Sequence, residues 1–415
     1  MKILRARVVV PLDGPPIENG AIAIEGNQIV AVGTEPEVTA NAADGDVTDL
    51  GEVALMPGLI NAHCHLDYTV LRYAIHPPKS FSAWVQRLNA IKRGLSADDY
   101  VRSITRGFDE CVKWGTTSVC TIESFPEIMQ QVPDPLLRTW WFYEMIDVRH
   151  RITSEDVVLG ALGFFQRRSG SLATFGLSPH APYTASLPLY RLSNRCADSF
   201  NMPVTTHLAE SAEEFEMFRH SEGPLYTFLK SLNRPMEDCG EATPFAHLWC
   251  SGAVNAKWLL VHMNELTEND FTLLHSLTPE QMPTIVHCPG SHEYFGHRPF
   301  AWKRLQALGA NLCVATDSLA STDSLSLLRE VRRLAHREPE LTSEQLLHTI
   351  TRNPARALGR GDVLGKIVPG ALADLIAVPT SAKVGSVHEE IVAFTQPIPW
   401  MMIDGQILRN ETDAG

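Results

Sequence analysis

No apolar run in this 415-residue chain approaches the roughly 20 residues that a membrane-spanning helix needs. The N-terminal apolar stretch is only Val8, Val9 and Val10 and is stopped by Pro11, so no secretory leader is expected. Basic residues are in deficit. The chain has 35 Lys and Arg against 48 Asp and Glu, a formal net charge of −13, and no basic stripe of the kind a nucleic-acid backbone recruits. None of the eight cysteines forms a C-x-x-C pair. Cys64 and Cys288 sit inside apolar, strand-like runs, as reduced buried thiols do in a cytoplasmic protein. The expectation is a cytoplasmic protein acting on a small molecule, with no nucleic-acid or membrane partner. One local absence also matters: positions 171–191 contain no Lys.

What is present is an ordinary globular composition, 44% hydrophobic and 20% charged. Residues 1–56 read as short strands broken by turn residues, such as Ala21-Ile22-Ala23-Ile24 before Gly26-Asn27. The C-terminal stretch has the same style. Ala373-Asp374-Leu375-Ile376-Ala377-Val378 reads as a strand, and Trp400-Met401-Met402-Ile403 runs into Asp404-Gly405, a hairpin signal. The two ends, 1–56 and 361–415, are therefore expected to pair into one composite β-sandwich domain.

Residues 57–360 follow another pattern, in which short apolar runs alternate with amphipathic stretches such as 97–114, 187–200 and 324–336. Eight such runs occur: 59–62, 117–120, 138–145, 173–177, 204–206, 258–261, 284–286 and 311–315. Eight β/α alternations predict an α/β fold, a distorted TIM (β/α)₈ barrel. Catalytic groups in such barrels sit at the C-terminal strand ends, because those loops converge on one face. Here run one ends in His63-Cys64-His65, and runs four to eight end in His180, His207, His262, His287 and Asp317.

Each motif alone decides little. Sixteen His in 415 residues give about 0.6 H-x-H pairs by chance. A single strand-end His is as readily a hydrogen-bonded structural residue as a ligand. The joint pattern is more specific. Residues i and i+2 of a strand point the same way, so His63 and His65 can reach one ion. Three imidazoles and a carboxylate suit zinc or iron(II) with one position left for water.

The segments Pro57-Gly58-Leu59-Ile60-Asn61-Ala62-His63-Cys64-His65-Leu66, His207-Leu208-Ala209-Glu210 and Ala315-Thr316-Asp317-Ser318 closely resemble the amidohydrolase superfamily. Ser178-Pro179-His180-Ala181-Pro182-Tyr183-Thr184 and His287-Cys288-Pro289-Gly290-Ser291 are similar to its branch of S-adenosylhomocysteine, methylthioadenosine and aminodeoxyfutalosine deaminases and triazine chlorohydrolases. The resemblance implies one divalent metal ion, Zn²⁺ or alternatively Fe²⁺, held by His63, His65, His207 and Asp317. It implies Glu210 as general acid/base and His262, with Asp317, as the groups that orient water and accept its proton. His180 falls at a substrate-contacting position. The missing Lys of 171–191 favours the mononuclear type over relatives that bridge two metals with a carbamylated Lys.

Trp84, in Ser80-Phe81-Ser82-Ala83-Trp84, either stacks on a purine or is core under a long loop. The deaminases it resembles place a ribose-binding Glu about nine residues later, where this chain has Arg93, and His292 stands at their usual Asn. Arg149 and Arg151, after run three, either bind a substrate carboxylate or are surface arginines. His287 is placed among the substrate contacts. Glu213, Glu214 and Glu216 read as the solvated face of a helix. The expected activity is release of ammonia from an amino-substituted heterocycle, a 6-aminopurine nucleoside, by a homodimer. The alternative is another ring hydrolase, like a triazine chlorohydrolase, guanine deaminase or imidazolonepropionase. A non-catalytic scaffold would have lost a ligand or Glu210, and none is lost.

Overall fold

A computed structural model describes residues 1–40, 45–77, 79–148, 152–167 and 172–411. The chain starts with β1 (Lys2–Val9), β2 (Ile17–Glu25), β3 (Gln28–Thr34), β4 (Asp46–Asp49) and β5 (Val53–Pro57). Eight strands follow: β6 (Leu59–Cys64), β7 (Thr116–Glu123), β8 (Arg138–Met145), β9 (Ala173–Pro179), β10 (Val204–Leu208), β11 (Trp258–His262), β12 (Thr284–His287) and β13 (Asn311–Val314). The last three are β14 (Leu375–Pro379), β15 (Trp400–Ile403) and β16 (Gln406–Asn410). Strands β6–β13 pair in chain order, all parallel, and are the eight runs read from the sequence. No helix among the described residues is long and apolar enough to cross a membrane.

The barrel is filled, as a side-chain-packed lumen must be. Ile60, Ala62, Cys120, Ile122, Trp140, Phe142, Leu259, Val261, Val286, Cys313 and Ala315 form one buried cluster. The two large rings of β8 need small neighbours. A Cβ on Gly176 of β9 would lie 2.4 Å from Phe142 Cε1, so only glycine fits there. Between β13 and β6 the ladder gives way to a seam. Ile60 N donates to Ile350 O (2.8 Å) and Val314 N to Thr349 O (3.0 Å), so residues 349–350 wedge between the two strands. Nearer the mouth, the buried Asn61 amide donates to Thr316 Oγ1 (2.8 Å) and accepts from Thr316 N (3.3 Å), and Asp317 N donates to His63 O (3.2 Å). The seam thereby ties Asp317 to the strand that carries His63 and His65.

Both chain ends enter a single eight-stranded mixed sheet, ordered β16-β15-β14-β5-β1-β2-β3 with β4 also on β1. The Asp404-Gly405 turn has φ of 50° and 73°, the left-handed pair that a two-residue hairpin requires. Inner side chains from β1, β2, β5, β14 and β15, including Leu4, Ile22, Leu55, Leu375 and Trp400, pack into one core. All eight cysteines are free.

Sheet and barrel are joined by a buried ion pair. Arg138, at the start of β8, donates from Nε and Nη2 to the two oxygens of Asp374 (2.8 and 3.1 Å) and from Nη2 to Asp404 Oδ1 (3.2 Å). Removing one member leaves the other charge buried and unmatched. Asp374→Ala is expected to cost about 3–5 kcal/mol in a denaturant titration, while replacing both Arg138 and Asp374 by Leu costs much less. Equal losses in the two variants would show that the pair does not link the two layers.

Candidate active site

All eight barrel strands carry a titratable residue at or beside their C-terminal end, not six. Besides the expected histidines and Asp317, β7 ends in Glu123 and the penultimate residue of β8 is Glu144. On β8 the side chains alternate. Trp140 and Phe142 face the lumen, Trp141 and Met145 face the helices, and Glu144 continues the inward row. The signal was present in the sequence as simple period-2 alternation.

His63, His65, His207, His262 and Asp317 converge. Nitrogen and oxygen atoms of His63, His207 and His262 lie within 4.8 Å of one another, and so do those of His63, His65 and Asp317. The two groups share His63. His65 Nε2 is 3.2 Å from His207 Nε2, and Asp317 Oδ1 is 3.7 Å from His63 Nε2 and 4.0 Å from His65 Nε2. His207 Nδ1 lies 2.8 Å from the carbonyl of His180, which accepts its proton and leaves Nε2 as a lone pair aimed at the cluster. His63 is almost wholly buried, and neither of its ring nitrogens has a hydrogen-bond partner among the described residues. Orphaned imidazole lone pairs beside a buried carboxylate fit a divalent cation. Burial lowers the pKa of His65 and of His262 to about 3, and that of His207 well below normal, so all three are neutral ligand-type imidazoles at neutral pH.

The loops that set these groups are conformationally costly. Ala209, His262, Met263 and Asp317 have φ of 50°, 79°, 51° and 59°, a region that costs a non-glycine residue about 1–3 kcal/mol. The turn at Ala209 is held by Glu214, whose carboxylate accepts from Ala209 N (3.1 Å) and Glu210 N (2.7 Å). The carbonyl of Glu210 accepts from Asn264 Nδ2 (3.0 Å), and Asn264 Oδ1 in turn meets His292 Nδ1 (3.1 Å). Glu210 itself is buried, with Oε1 3.6 Å from His262 Nε2. Burial, then the charges of Asp317 and Glu214, push its carboxyl well above the usual range. This direction favours the protonated form of Glu210 beside the His262 ring.

Glu213 and Glu214 are not a solvated helix face. Glu214 is fully buried under the Glu210 turn, and Glu213 accepts from the backbone N–H groups of Phe81 (2.8 Å) and Ser82 (3.0 Å). Glu213 thus caps the helix Phe81–Lys92, whose residues Phe81, Trp84, Val85, Leu88, Asn89 and Lys92 wall the cavity above the cluster. That cavity is about 160 Å³ and reaches His65, His207, Glu210, His262 and Asp317 at its floor. Trp84 lines it and also packs in a small core with Tyr68, Leu71 and Leu88. His180 lines it too, its Nδ1 bonded to Thr184 Oγ1 (2.6 Å). His287 lies outside this lining, stacked on Phe300 with ring centroids 4.0 Å apart. Arg93 lines a neighbouring groove of about 860 Å³ that shares Asn89, Lys92 and Phe228 with the cavity. Arg149 and Arg151 lie outside the described residues.

Known proteins share this arrangement of strands. A 5-methylthioadenosine/S-adenosylhomocysteine deaminase of Pyrococcus furiosus is 29% identical over 388 residues, 91% of this chain and 86% of that protein. An aminodeoxyfutalosine deaminase of Deinococcus radiodurans is 26% identical over 357 residues, 82% of this chain and 81% of that one. The crystal structure of an adenosine deaminase from Xanthomonas campestris with bound zinc has a TM-score of 0.82 at 25% identity, covering 99% of this chain and 93% of that one. The model of the amidohydrolase family matches residues 54–408, the whole barrel and the C-terminal strands of the sheet, and this chain belongs to that family.

Proposed function

We propose that the chain is a hydrolytic deaminase that releases ammonia from an amino-substituted heterocycle, a 6-aminopurine nucleoside of the adenosylhomocysteine or aminodeoxyfutalosine kind. The observation that carries this reading is the buried Glu210 carboxyl 3.6 Å from His262 Nε2, in the cavity whose floor is the imidazole–carboxylate cluster. The names of the relatives support the choice of ring.

His63, His65, His207 and Asp317 would hold one divalent ion, for which zinc is the proposed identity, and such an ion lowers the pKa of water toward neutrality. Glu210 donates its proton to a ring nitrogen and makes the adjacent carbon electrophilic. The oxygen of water bonds to that carbon, while His262 and Asp317 orient it and take its proton. The proton taken from water then passes to the amino nitrogen, the Glu210 carboxylate takes the hydroxyl proton of the tetrahedral carbon as the carbonyl forms, the C–N bond breaks with its electron pair on nitrogen, and ammonia leaves. Phe81, Trp84 and Leu88 exclude water around the ring. His180 contacts the substrate from the β9 side. A homodimer in the cytoplasm belongs to the same reading, and sedimentation of the purified protein checks its assembly.

Ammonia release across adenine nucleosides, pterins, cytosines and triazines tests the proposal. Turnover of adenine nucleosides is expected. Chloride release from a triazine, or ring opening without ammonia, in the absence of any nucleoside turnover would replace it by the other ring-hydrolase reading.

A further inference from the structure

Three carboxylates line the cavity among the described residues: Glu210, Asp317 and Glu144. The first two are committed to the proton and to the imidazole cluster. Glu144 is used by neither. It reaches the cavity from β8 as the last member of the inward row Trp140, Phe142, Glu144, so the aromatic filling of the lumen ends in a carboxylate at the mouth. We propose that Glu144 reads the sugar of the substrate, its two carboxylate oxygens accepting two neighbouring hydroxyl groups. The proposal rests on the nucleoside reading above and deepens it.

Position supports the assignment. A ring whose reacting carbon sits between Glu210 and His262 must send its substituent away from the floor. On the β8–β9 side the cavity is lined by His180, Thr184 and Glu144, and Lys92 and Asn89 line both the cavity and the larger groove. A sugar attached to the ring therefore arrives beside Glu144, and anything beyond it enters the groove.

Chemistry supports it as well. The side chain of Glu144 is only 8% exposed, and its nearest cation-forming neighbour among the described residues, His180 Nε2, is 3.9 Å from Oε1, too far for a hydrogen bond. Burial raises its pKa, but His180, Lys92, His65 and a hydrogen bond from Ser124 more than offset this and leave it below the ordinary carboxylate value. An ionised carboxylate only accepts, and its two oxygens match a pair of adjacent O–H donors. Lys92, anchored on Tyr68 Oη (2.6 Å) and Ser124 Oγ (3.2 Å), is the one Lys or Arg among the described lining residues. It already balances the charge of Glu144, so a neutral polyol suits this corner better than a cationic substituent.

The test compares adenosine with 2′,3′-dideoxyadenosine. The wild-type enzyme is expected to prefer adenosine by about 10- to 100-fold in kcat/KM, the size of losing hydrogen bonds to a charged group. Glu144→Gln, of the same shape, is expected to pull that ratio toward one, and Glu144→Ala to erase it. A ratio that stays at the wild-type value in both variants overturns the proposal, because a purely structural Glu144 would lower both rates together. A wild-type enzyme without the preference also overturns it. Calorimetric titration with inosine and 2′,3′-dideoxyinosine reads the same contact without turnover. Diol-dependent inosine binding that Glu144→Gln removes, in an enzyme that deaminates no nucleoside, would uphold Glu144 and discard the deaminase reading. Equal affinity for the two inosines would discard Glu144.

Discussion

Glu210→Gln is expected to lower kcat by about 10²- to 10⁴-fold, the usual contribution of a positioned acid/base group. The side chain is buried, and burial with two neighbouring carboxylates raises its pKa, which favours the protonated form that the proposed reaction needs. Glutamine keeps the volume and still donates a hydrogen bond, but it cannot give up a proton to a ring nitrogen or carry one to the leaving amine. Glu210 is not in either group of converging ligand atoms, so metal content is expected to match the wild type. Substrate binding is expected to change little, which puts the loss in kcat rather than KM. Steady-state kinetics beside elemental analysis separates these quantities. A variant that keeps most of its kcat would remove Glu210 from the proton path, and one that loses metal would make it a ligand.

The barrel was readable because each of its strands is a short apolar run closed by a polar or titratable residue, a pattern that local sequence displays directly. His63, His65, His207, His262 and Asp317 were readable for the same reason: strand ends converge, so a list of strand ends is a list of neighbours. Glu144 was not recognised because four aromatic residues, Trp140 to Tyr143, dominate its strand and hide the alternation that turns it inward. Glu213 and Glu214 were misjudged because charge spacing alone describes a solvated helix. The left-handed turn at Ala209, which brings two amide groups onto Glu214, follows from tertiary pairing with the loop after β11 through Asn264 N and Glu265 N on Ala209 O. The pairing of the chain ends was foreshadowed by the Asp404-Gly405 hairpin. The parallel pairing of β1 with β4 and β5 was not, since nothing local encodes which distant strand completes an edge.

The protein stripped by a chelator is expected to be inactive, to regain activity with about one equivalent of zinc, and to be less stable than the loaded form. Without a cation the site holds a buried carboxylate, Asp317, against imidazoles that burial keeps neutral, and His63 has ring nitrogens with no partner. A divalent ion supplies the missing charge, and saturating it at about 1,000 times its Kd adds roughly 4 kcal/mol of stability. Acid works in the opposite direction. In the metal-free protein burial lowers the pKa of His65 and His262 from 6.5 to about 3, so between those values the unfolded chain binds protons that the folded site refuses. Their contribution is intact above pH 6.5 and is lost progressively as the pH falls toward 3. The melting temperature of metal-free protein is therefore expected to drop between pH 7.5 and 5, while the zinc affinity of the folded site changes little over that range, because burial keeps the imidazole ligands neutral there. His63→Ala is expected to be inactive even with zinc supplied, since His63 belongs to both groups of converging atoms. Full activity after chelation, or two tightly held ions both required for turnover, would reject the single-ion site.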